Sequence, residues 1–205
     1  MVGAVVLSAG ASYRMGSPKA LLKIGNETFL EHVVGVLRAA GIRDVVIVLG
    51  ADAGVIRKSL PWFEGTVVVN EHWGRGQLSS IICGLDALRP DGLDGALICP
   101  VDRPLVTLPL LHDLLAAFEN SKESIVVPVF HGRRGHPTIF PRTGFDELKS
   151  APMEIGARHL LHGDSHHVVE VITGEKGAII NIDTPDEYRD FIQHKRPGAG
   201  EEGTQ

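Results

Sequence analysis

The sequence predicts an α/β fold in which helices cover both faces of a mostly parallel, doubly wound open sheet. Two observations predict it. Short β-branched runs, most of them apolar at every position, recur along the chain, as they do in strands buried on both faces of a parallel sheet. Segments with apolar residues at helical spacing lie between these runs, and this alternation is typical of βαβ units.

The predicted strands and helices alternate from residue 3 to residue 129. The strands are expected at Gly3–Ser8, Asp44–Leu49, Thr66–Asn70, Ala96–Pro100 and Ile125–Val129. The helices between them are expected at Thr28–Ala40, Asp52–Leu60, Gln77–Leu88 and Leu108–Asn120. Gly41 follows the first helix as a residue typical of helix C-termini, and Thr107 precedes the last helix in a Thr-x-Pro start.

A turn-rich segment interrupts this alternation after residue 129. Short strands are expected at Thr138–Phe140, Val168–Ile172 and Ala178–Ile182, so a small β-rich elaboration is predicted for the C-terminal part. A final helix is expected to begin after Thr184. Thr184, Pro185 and Glu187 stand in the order of a capping box with proline in the first helical turn.

Length and composition indicate one domain and exclude several classes of protein. The 205 residues are 43% hydrophobic and 22% charged, which suits a single domain over residues 1–194 with a substantial core. Residues 195–205, rich in Gly, Glu and Pro, are predicted to form a disordered tail. The net charge of −5 argues against nucleic-acid partners. The apolar runs are too short to span a bilayer, so no membrane partner is expected.

Cysteine usage and the N-terminal segment predict a cytoplasmic location. Cys83 and Cys99 form no CxxC pair, a pattern that fits a reducing compartment. The first residues lack the basic region of a signal peptide. The histidine-rich segment His162–His167 is predicted to be a solvated turn rather than a zinc site, because a zinc site needs ligands that converge with defined spacing.

The first predicted strand leads into a loop of small residues that carries two cations. Gly10, Arg14, Gly16 and Lys19 follow the strand in this loop. At the carboxyl edge of a parallel sheet, such a loop presents backbone N–H groups to phosphates, and Arg14 and Lys19 would offset the phosphate charge. The spacing matches neither the Walker nor the dinucleotide-binding glycine pattern. An ordinary surface loop is the alternative interpretation.

Two aspartates are candidate magnesium ligands at the same edge of the sheet. Asp102 follows the fourth predicted strand between Pro100 and Pro104, and Asp183 follows the late strand predicted at Ala178–Ile182. Mg²⁺ prefers oxygen ligands in a nearly fixed geometry, and rigid turns provide that geometry. The alternatives are that Asp102 is an ordinary turn residue and that Asp183 is a local cap.

A second Gly-rich loop precedes the helix predicted at Gln77–Leu88. Gly76 lies at the start of this helix, and Ser79 and Ser80 lie in its first turns. Hydroxyls at these positions either contact a nucleobase or ribose or cap the helix. The sequence favours neither interpretation over the other.

The order of these motifs resembles that of the MobA-like NTP transferases. The segment Leu7–Lys19 is similar to their L-x-(A/G)-G-x-S-x-R-M-G-x-x-K signature, and Gly76–Leu85 is similar to their G-x-x-x-S-(I/L/V)-x-x-G-L element. Three further similarities are Asp102-Arg103-Pro104 to D-x-P, Arg134-Gly135-His136-Pro137 to R-G-H-P, and Asn181–Tyr188 to D/N-I-D-T-P-x-D-Y. The resemblance extends from residue 2 to about residue 193.

This resemblance implies a Rossmann-like, three-layer α/β/α nucleotidyltransferase that uses Mg²⁺ and releases pyrophosphate. The catalytic residues implied are Arg14, Lys19 and Asp102, and the metal ligands implied are Asp102 and Asp183. The nucleotide-binding residues implied are Leu7, Ala9, Gly10, Ala11, Lys19, Gly76 and Ser80. The acceptor-binding residues implied are Arg103, Arg134, His136 and Arg158. Arg103 stands where many relatives have Gln or Met, and it adds a cation beside Asp102.

Within the family, the chain resembles the molybdenum cofactor cytidylyltransferase branch. The R-G-H-P element points to this branch, as does Ala9, because guanylyl enzymes tend to have Gly at that position. The resemblance implies transfer of CMP from CTP to a molybdopterin-type phosphorylated acceptor. GTP is the alternative donor, and a molybdoenzyme is a further implied partner. Two alternatives are transfer to a sugar phosphate or phospholactate, and a nucleotide-binding accessory protein that serves a molybdoenzyme without turnover.

Overall fold

The computed structural model describes residues 1–89, 91–162 and 167–193. The strands are β1 (Val2–Ser8), β2 (Lys23–Ile24), β3 (Glu27–Thr28), β4 (Val45–Leu49), β5 (Thr66–Val69), β6 (Gly95–Pro100), β7 (Ile125–Phe130), β8 (Arg133–Arg134), β9 (Thr138–Pro141) and β10 (Val168–Ile172). The α-helices are α1 (Phe29–Ala39), α2 (Ala53–Lys58), α3 (Gln77–Ala87), α4 (Leu108–Asn120), α5 (Phe145–Ser150), α6 (Arg158–His162) and α7 (Pro185–Tyr188). The tail predicted at 195–205 and residues 163–166 of the histidine-rich segment lie outside the described residues.

The central sheet has the strand order β10-β7-β9-β6-β1-β4-β5, with β8 paired to β7. The pairs β1–β4, β1–β6, β4–β5 and β7–β10 are parallel. Strand β9 runs antiparallel to both β6 and β7. The prediction of a mostly parallel sheet is therefore confirmed, and β9 is the antiparallel strand of the C-terminal elaboration.

Helices cover both faces of this sheet, which gives three layers. Helices α1 and α4 pack on one face, where Phe29 and Phe118 join Val6 of β1 in a single core. Helix α3 packs on the opposite face, where Leu78 joins Val5 of β1 in a second core. Neighbouring residues of β1 thus serve opposite cores, which explains why the strand is apolar at every position.

The predicted helix starts agree with the structure. Thr28 and Glu31 form a capping box at α1, and the Thr184 hydroxyl and Glu187 form another at α7. The Thr107 side chain caps α4 by accepting from the backbone N–H of Leu110. In the part of the chain that the structure describes, no helix has both the length and the apolar character needed to cross a bilayer.

The late strand predicted at Ala178–Ile182 is wrong. A 3₁₀ helix covers Lys176–Ile179, and the chain then runs along the loop that follows β6. The N–H of Ile182 donates to the carbonyl of Asp102 at 2.8 Å, and the carbonyl of Ala178 accepts from the N–H of His136 at 2.9 Å. These backbone groups bond to loops instead of a neighbouring strand, so the run buries Ala178 and Ile182 without joining the sheet.

Candidate active site

The carboxyl ends of β1 and β6 bring the two predicted functional loops together. Leu7 pairs with Pro100 in the parallel register, and the N–H of Val101 donates to the carbonyl of Leu7 at 3.0 Å. The loop after β1 and the loop after β6 therefore leave the sheet side by side. This is the edge at which open α/β sheets bind their ligands.

A first cavity of about 240 Å³ lies at this edge. Its lining includes Asp102 and every residue predicted to bind the nucleotide. The latter are Leu7, Ala9, Gly10, Ala11, Lys19, Gly76 and Ser80. Asp52 and Trp73 also line it. Arg14 lies outside the lining, with 69% of its side chain exposed.

The loop after β1 is folded around Ser12. The carbonyl of Ser12 accepts from the N–H groups of Met15 and Gly16, and the Ser12 hydroxyl accepts from the backbone N–H of Lys19 at 3.0 Å. Gly16 has a φ of 72°, a conformation that favours glycine. The turn returns the chain to the sheet edge, where the Lys19 side chain points to the two aspartates.

Lys19 lies between the two predicted metal ligands. Its ammonium Nζ contacts Oδ2 of Asp102 at 3.4 Å and forms a very short contact with Oδ1 of Asp183. Arg14 Nη2 contacts the other oxygen of Asp183 at 3.2 Å. Only 15% of the Lys19 side chain is exposed. Residues far apart in sequence thus form one cluster of two cations and two anions.

The cluster keeps the carboxyl of Asp183 ionised. Partial burial acts to raise the pKa of Asp183, but the hydrogen bond and charge of Lys19 and the charge of Arg14 outweigh it, so that the pKa lies below its ordinary value. An ionised carboxylate is an oxygen ligand of the kind that Mg²⁺ takes, although a metal ion would have to compete with Lys19 and Arg14 for this one. The backbone N–H of Asp183 donates to the Glu187 carboxylate at 2.8 Å, which fixes Asp183 at the start of α7.

The Asp102–Asp183 pair fits a magnesium ion that shares its coordination with substrate. Both carboxylates approach one ammonium group, so both are directed at the same small volume. The described residues contain no group of three or more His, Cys, Asp or Glu side chains able to hold a metal together. Mg²⁺ commonly binds one or two carboxylates and completes its coordination with phosphates and water.

The two serines at the start of α3 have different roles. The single proton of the Ser79 hydroxyl has two carbonyl acceptors within reach, Gly76 at 2.8 Å and His72 at 3.1 Å, and both lie in the preceding loop. Ser80 is buried and lines the first cavity. Its hydroxyl oxygen accepts from Asn70 Nδ2 at 3.0 Å. Asn70 is a supporting residue that the sequence analysis missed, although its place at the end of a predicted strand could have indicated it.

A second cavity, of about 570 Å³, adjoins the first. Its lining includes the four residues predicted to bind the acceptor, namely Arg103, Arg134, His136 and Arg158. Gln77, the first residue of α3, lines both cavities. The predicted nucleotide and acceptor residues therefore lie in two adjacent cavities.

Arg103 and His136 are joined through one carbonyl group. Arg103 Nη1 donates to the carbonyl of Ala178 at 2.7 Å, and the backbone N–H of His136 donates to the same oxygen. Burial lowers the pKa of the Arg103 guanidinium, against the opposing charge of Asp102. Burial and the charge of Arg103 lower the pKa of His136 to about 3. The second cavity thus combines a partly buried cation with a neutral imidazole.

Arg134 faces the second cavity less freely than its prediction as an acceptor ligand implies. Arg134 Nε donates to the Glu170 carboxylate at 2.7 Å, and its Nη1 donates to the carbonyl of Leu161. The Nδ1 atom of His136 is buried and lacks a hydrogen-bond partner among the described residues. The two bonds of Arg134 are made to β10 and α6, whose positions the sequence motif does not specify.

Comparisons with known proteins identify the family to which this fold belongs. The family model for the MobA-like NTP transferase domain matches residues 4–170. A protein of Mycobacterium marinum named probable molybdenum cofactor guanylyltransferase is 30% identical over 198 residues, which cover 95% of this chain and 93% of that protein.

Two crystal structures of Rv0371c from Mycobacterium tuberculosis are also similar. One has a TM-score of 0.80 and 29% identity, and the other, a complex with manganese, has a TM-score of 0.77 and 28% identity. Each comparison covers 94% of this chain and 98% of Rv0371c. Together with the family match, they establish that this chain belongs to the MobA-like NTP transferase family and is an enzyme, a nucleotidyltransferase.

Proposed function

We propose that the enzyme transfers CMP from CTP to a molybdopterin-type phosphorylated acceptor with Mg²⁺ bound, and releases pyrophosphate. The observation that carries the proposal is the pair of adjacent cavities. The first cavity contains the contact between Lys19 and Asp102, beside the loop after β1 that is predicted to bind phosphates. The second holds arginines suited to a phosphorylated acceptor.

The reaction requires alignment and charge neutralisation rather than proton transfer. An oxygen of the acceptor phosphate bonds to the α-phosphorus of the triphosphate, and the bond from that phosphorus to the bridging oxygen breaks, so that pyrophosphate leaves with the electron pair. The attacking oxygen is already an anion and needs no general base. Lys19 and Arg14 neutralise triphosphate charge, and the backbone N–H groups of Ala9, Gly10 and Ala11 are the expected donors to its oxygens.

Asp102 and Asp183 would hold the divalent cation in this proposal. When bound there, Mg²⁺ would neutralise charge on the phosphate oxygens of the substrate. The cluster of Asp102 and Asp183 around a single ammonium supports the assignment, and the manganese complex of Rv0371c supports a divalent cation in the family.

The acceptor is proposed from the chemistry of the second cavity and from the relatives. Guanidinium groups bind phosphate through several N–H donors in a fixed plane, and three arginines line this cavity. The Mycobacterium marinum relative is named for molybdenum cofactor chemistry. The proposal includes a cytoplasmic reaction and a molybdoenzyme that receives the product.

CTP is proposed as the donor on the basis of Ala9 and the R-G-H-P element. The carbonyl of Ala9 accepts from the N–H of Ala51 at 3.0 Å, and a Cβ atom placed on Gly50 would lie only 2.8 Å from the Cβ of Ala9. The Ala9 methyl is therefore held against Gly50 at the lining of the first cavity, where it fills space that a glycine would leave open. GTP is the second candidate, because the Mycobacterium marinum relative is named a guanylyltransferase.

Product analysis tests the proposal. The enzyme is incubated with Mg²⁺, molybdopterin and either CTP or GTP, pyrophosphate is measured, and the nucleotide released from the product by acid hydrolysis is identified. We expect CMP, with little GMP. Detection of GMP alone would contradict CTP as the donor and support GTP instead. The absence of both nucleotides would contradict a molybdopterin-type acceptor.

Replacement of Arg103 by glutamine tests the assignment of the second cavity to the acceptor. Loss of a hydrogen bond from a charged group costs about 1.5–3 kcal/mol, so Arg103→Gln is expected to raise the KM for the acceptor about tenfold or more and to leave the Kd for Mg-CTP unchanged. Steady-state kinetics with a varied acceptor measure this. Arg133→Gln, at an exposed residue outside the cavity lining, is the control. An unchanged acceptor KM would make Arg103 a structural residue.

A further inference from the structure

Gln77 occupies the boundary between the two cavities. It lines both the first cavity, with Lys19 and Asp102, and the second cavity, with Arg103 and His136. A residue in this position is near both the nucleotide and the acceptor in the proposed function. No element of the sequence signature assigned a role to it.

Backbone conformation and the packing of α3 place Gln77 at this boundary. Gly76, directly before it, has a φ of 105°, which a residue with a side chain rarely adopts. Leu78, directly after it, is buried in the core under α3. Further along the helix, a Cβ atom on Gly84 would lie 2.2 Å from Val5 of β1, so α3 packs closely on the sheet. Gln77 itself is exposed, which leaves its amide accessible to ligands.

The loop after β6 contributes to both cavities as well. Asp102 lines the first cavity, and its neighbour Arg103 lines the second. The α-phosphate and the acceptor phosphate would therefore meet in the region bounded by these two residues and Gln77. Two anionic groups must approach each other there, and the side-chain amide of Gln77 can donate two hydrogen bonds without adding negative charge.

We propose that Gln77 is a catalytic residue whose side-chain amide donates hydrogen bonds to the phosphate oxygens at the boundary between the cavities. As the new bond to the α-phosphorus forms and the bond to pyrophosphate breaks, a donor already in place stabilises charge on the transferring phosphoryl group. Gln77 moves no proton in this step. The proposal rests on the proposed nucleotidyl transfer and adds a residue to it.

Three variants test this role by kinetics. Gln77→Leu keeps the approximate size but removes the donors, and it is expected to lower kcat about 10²-fold, the effect of losing one preorganised donor. The KM for the acceptor and the Kd for Mg-CTP are expected to change by less than about threefold. Gln77→Glu places a negative charge beside the phosphates and is expected to lower kcat further. Arg75→Gln, at an exposed residue outside both cavity linings, is the control and should retain kcat. An unchanged kcat in Gln77→Leu overturns the proposal.

A binding measurement separates this proposal from the choice of acceptor. The side-chain amide signals of Gln77 are assigned in ¹⁵N spectra of the protein by comparison with Gln77→Leu. We expect them to shift when Mg-CTP or Mg-GTP is added. If the wild-type enzyme transfers no nucleotide to molybdopterin, the proposed function fails, and the amide signals still decide whether Gln77 contacts the nucleotide. Signals that do not move with either triphosphate overturn the role of Gln77.

Discussion

Replacement of Asp102 by alanine is expected to reduce pyrophosphate release by about 10³-fold or more. A metal ion contributes several kcal/mol to stabilisation of a phosphoryl transition state, and each 1.36 kcal/mol is a factor of ten in rate. In Asp102→Ala, the two-carboxylate site is reduced to Asp183, which remains paired with Lys19 and Arg14. The measurement is the rate of pyrophosphate release at saturating nucleotide and acceptor across a range of Mg²⁺ concentrations.

Two further variants test whether the effect of Asp102→Ala comes from loss of the Asp102 carboxylate. Asp102→Asn preserves size and removes the charge, and it should lose activity nearly as severely. Asp113→Ala, at an exposed position of α4, should retain full activity. If Asp102→Ala released pyrophosphate at the wild-type rate, Asp102 would not be a metal ligand.

Replacement of Lys19 by methionine is expected to have opposite effects on nucleotide and metal binding. Lys19 lines the first cavity, and its ammonium lies between the carboxylates of Asp102 and Asp183. Its loss removes a cation from the phosphate site, so turnover should fall about 10²- to 10³-fold and Mg-CTP should bind more weakly. Without nucleotide, the two carboxylates no longer have this competing cation. Mn²⁺ should then bind more tightly than to wild type, as measured by the EPR signal of free Mn²⁺.

Lys23→Met is the matched control, because the Lys23 side chain is 57% exposed and contacts Asn26 and Glu31 outside the site. It should change neither nucleotide nor Mn²⁺ binding. If Lys19→Met retained both turnover and nucleotide affinity, the loop after β1 would not be a phosphate site. If its Mn²⁺ affinity fell, Lys19 would not compete with the metal.

The predictable part of the fold follows from burial. Strands β1, β4 and β6 were predictable because both of their faces are covered, which requires apolar residues throughout. Their parallel order then places Lys19 and Asp102 at one edge of the sheet. The hairpin of β2 and β3 was not predicted, because two-residue strands are too short to produce a periodic pattern.

The unpredictable part of the site depends on contacts between distant segments. Asp183 reaches Lys19 without a strand, held by the bond from the N–H of Ile182 to Asp102 and by the Glu187 side chain. The bond from Arg103 to Ala178 spans 75 residues of sequence, and such pairing leaves no local pattern. Gln77 occupies an unspecified position of the Gly76–Leu85 element, and its proposed role depends on where the two cavities meet.

In the proposed function, the first cavity binds a nucleoside triphosphate together with a divalent cation at Asp102. The most direct test is a thermal-unfolding panel with Mg²⁺ and CTP, GTP, UTP, dTTP, ATP or NAD, on wild type and Asp102→Ala. A ligand at 100 times its Kd adds about 2.7 kcal/mol to the free energy of unfolding. We expect a Mg²⁺-dependent rise in Tm that is largest with CTP and is lost in Asp102→Ala. A panel without any shift, repeated with the acceptor present, would show that the first cavity does not bind a nucleoside triphosphate.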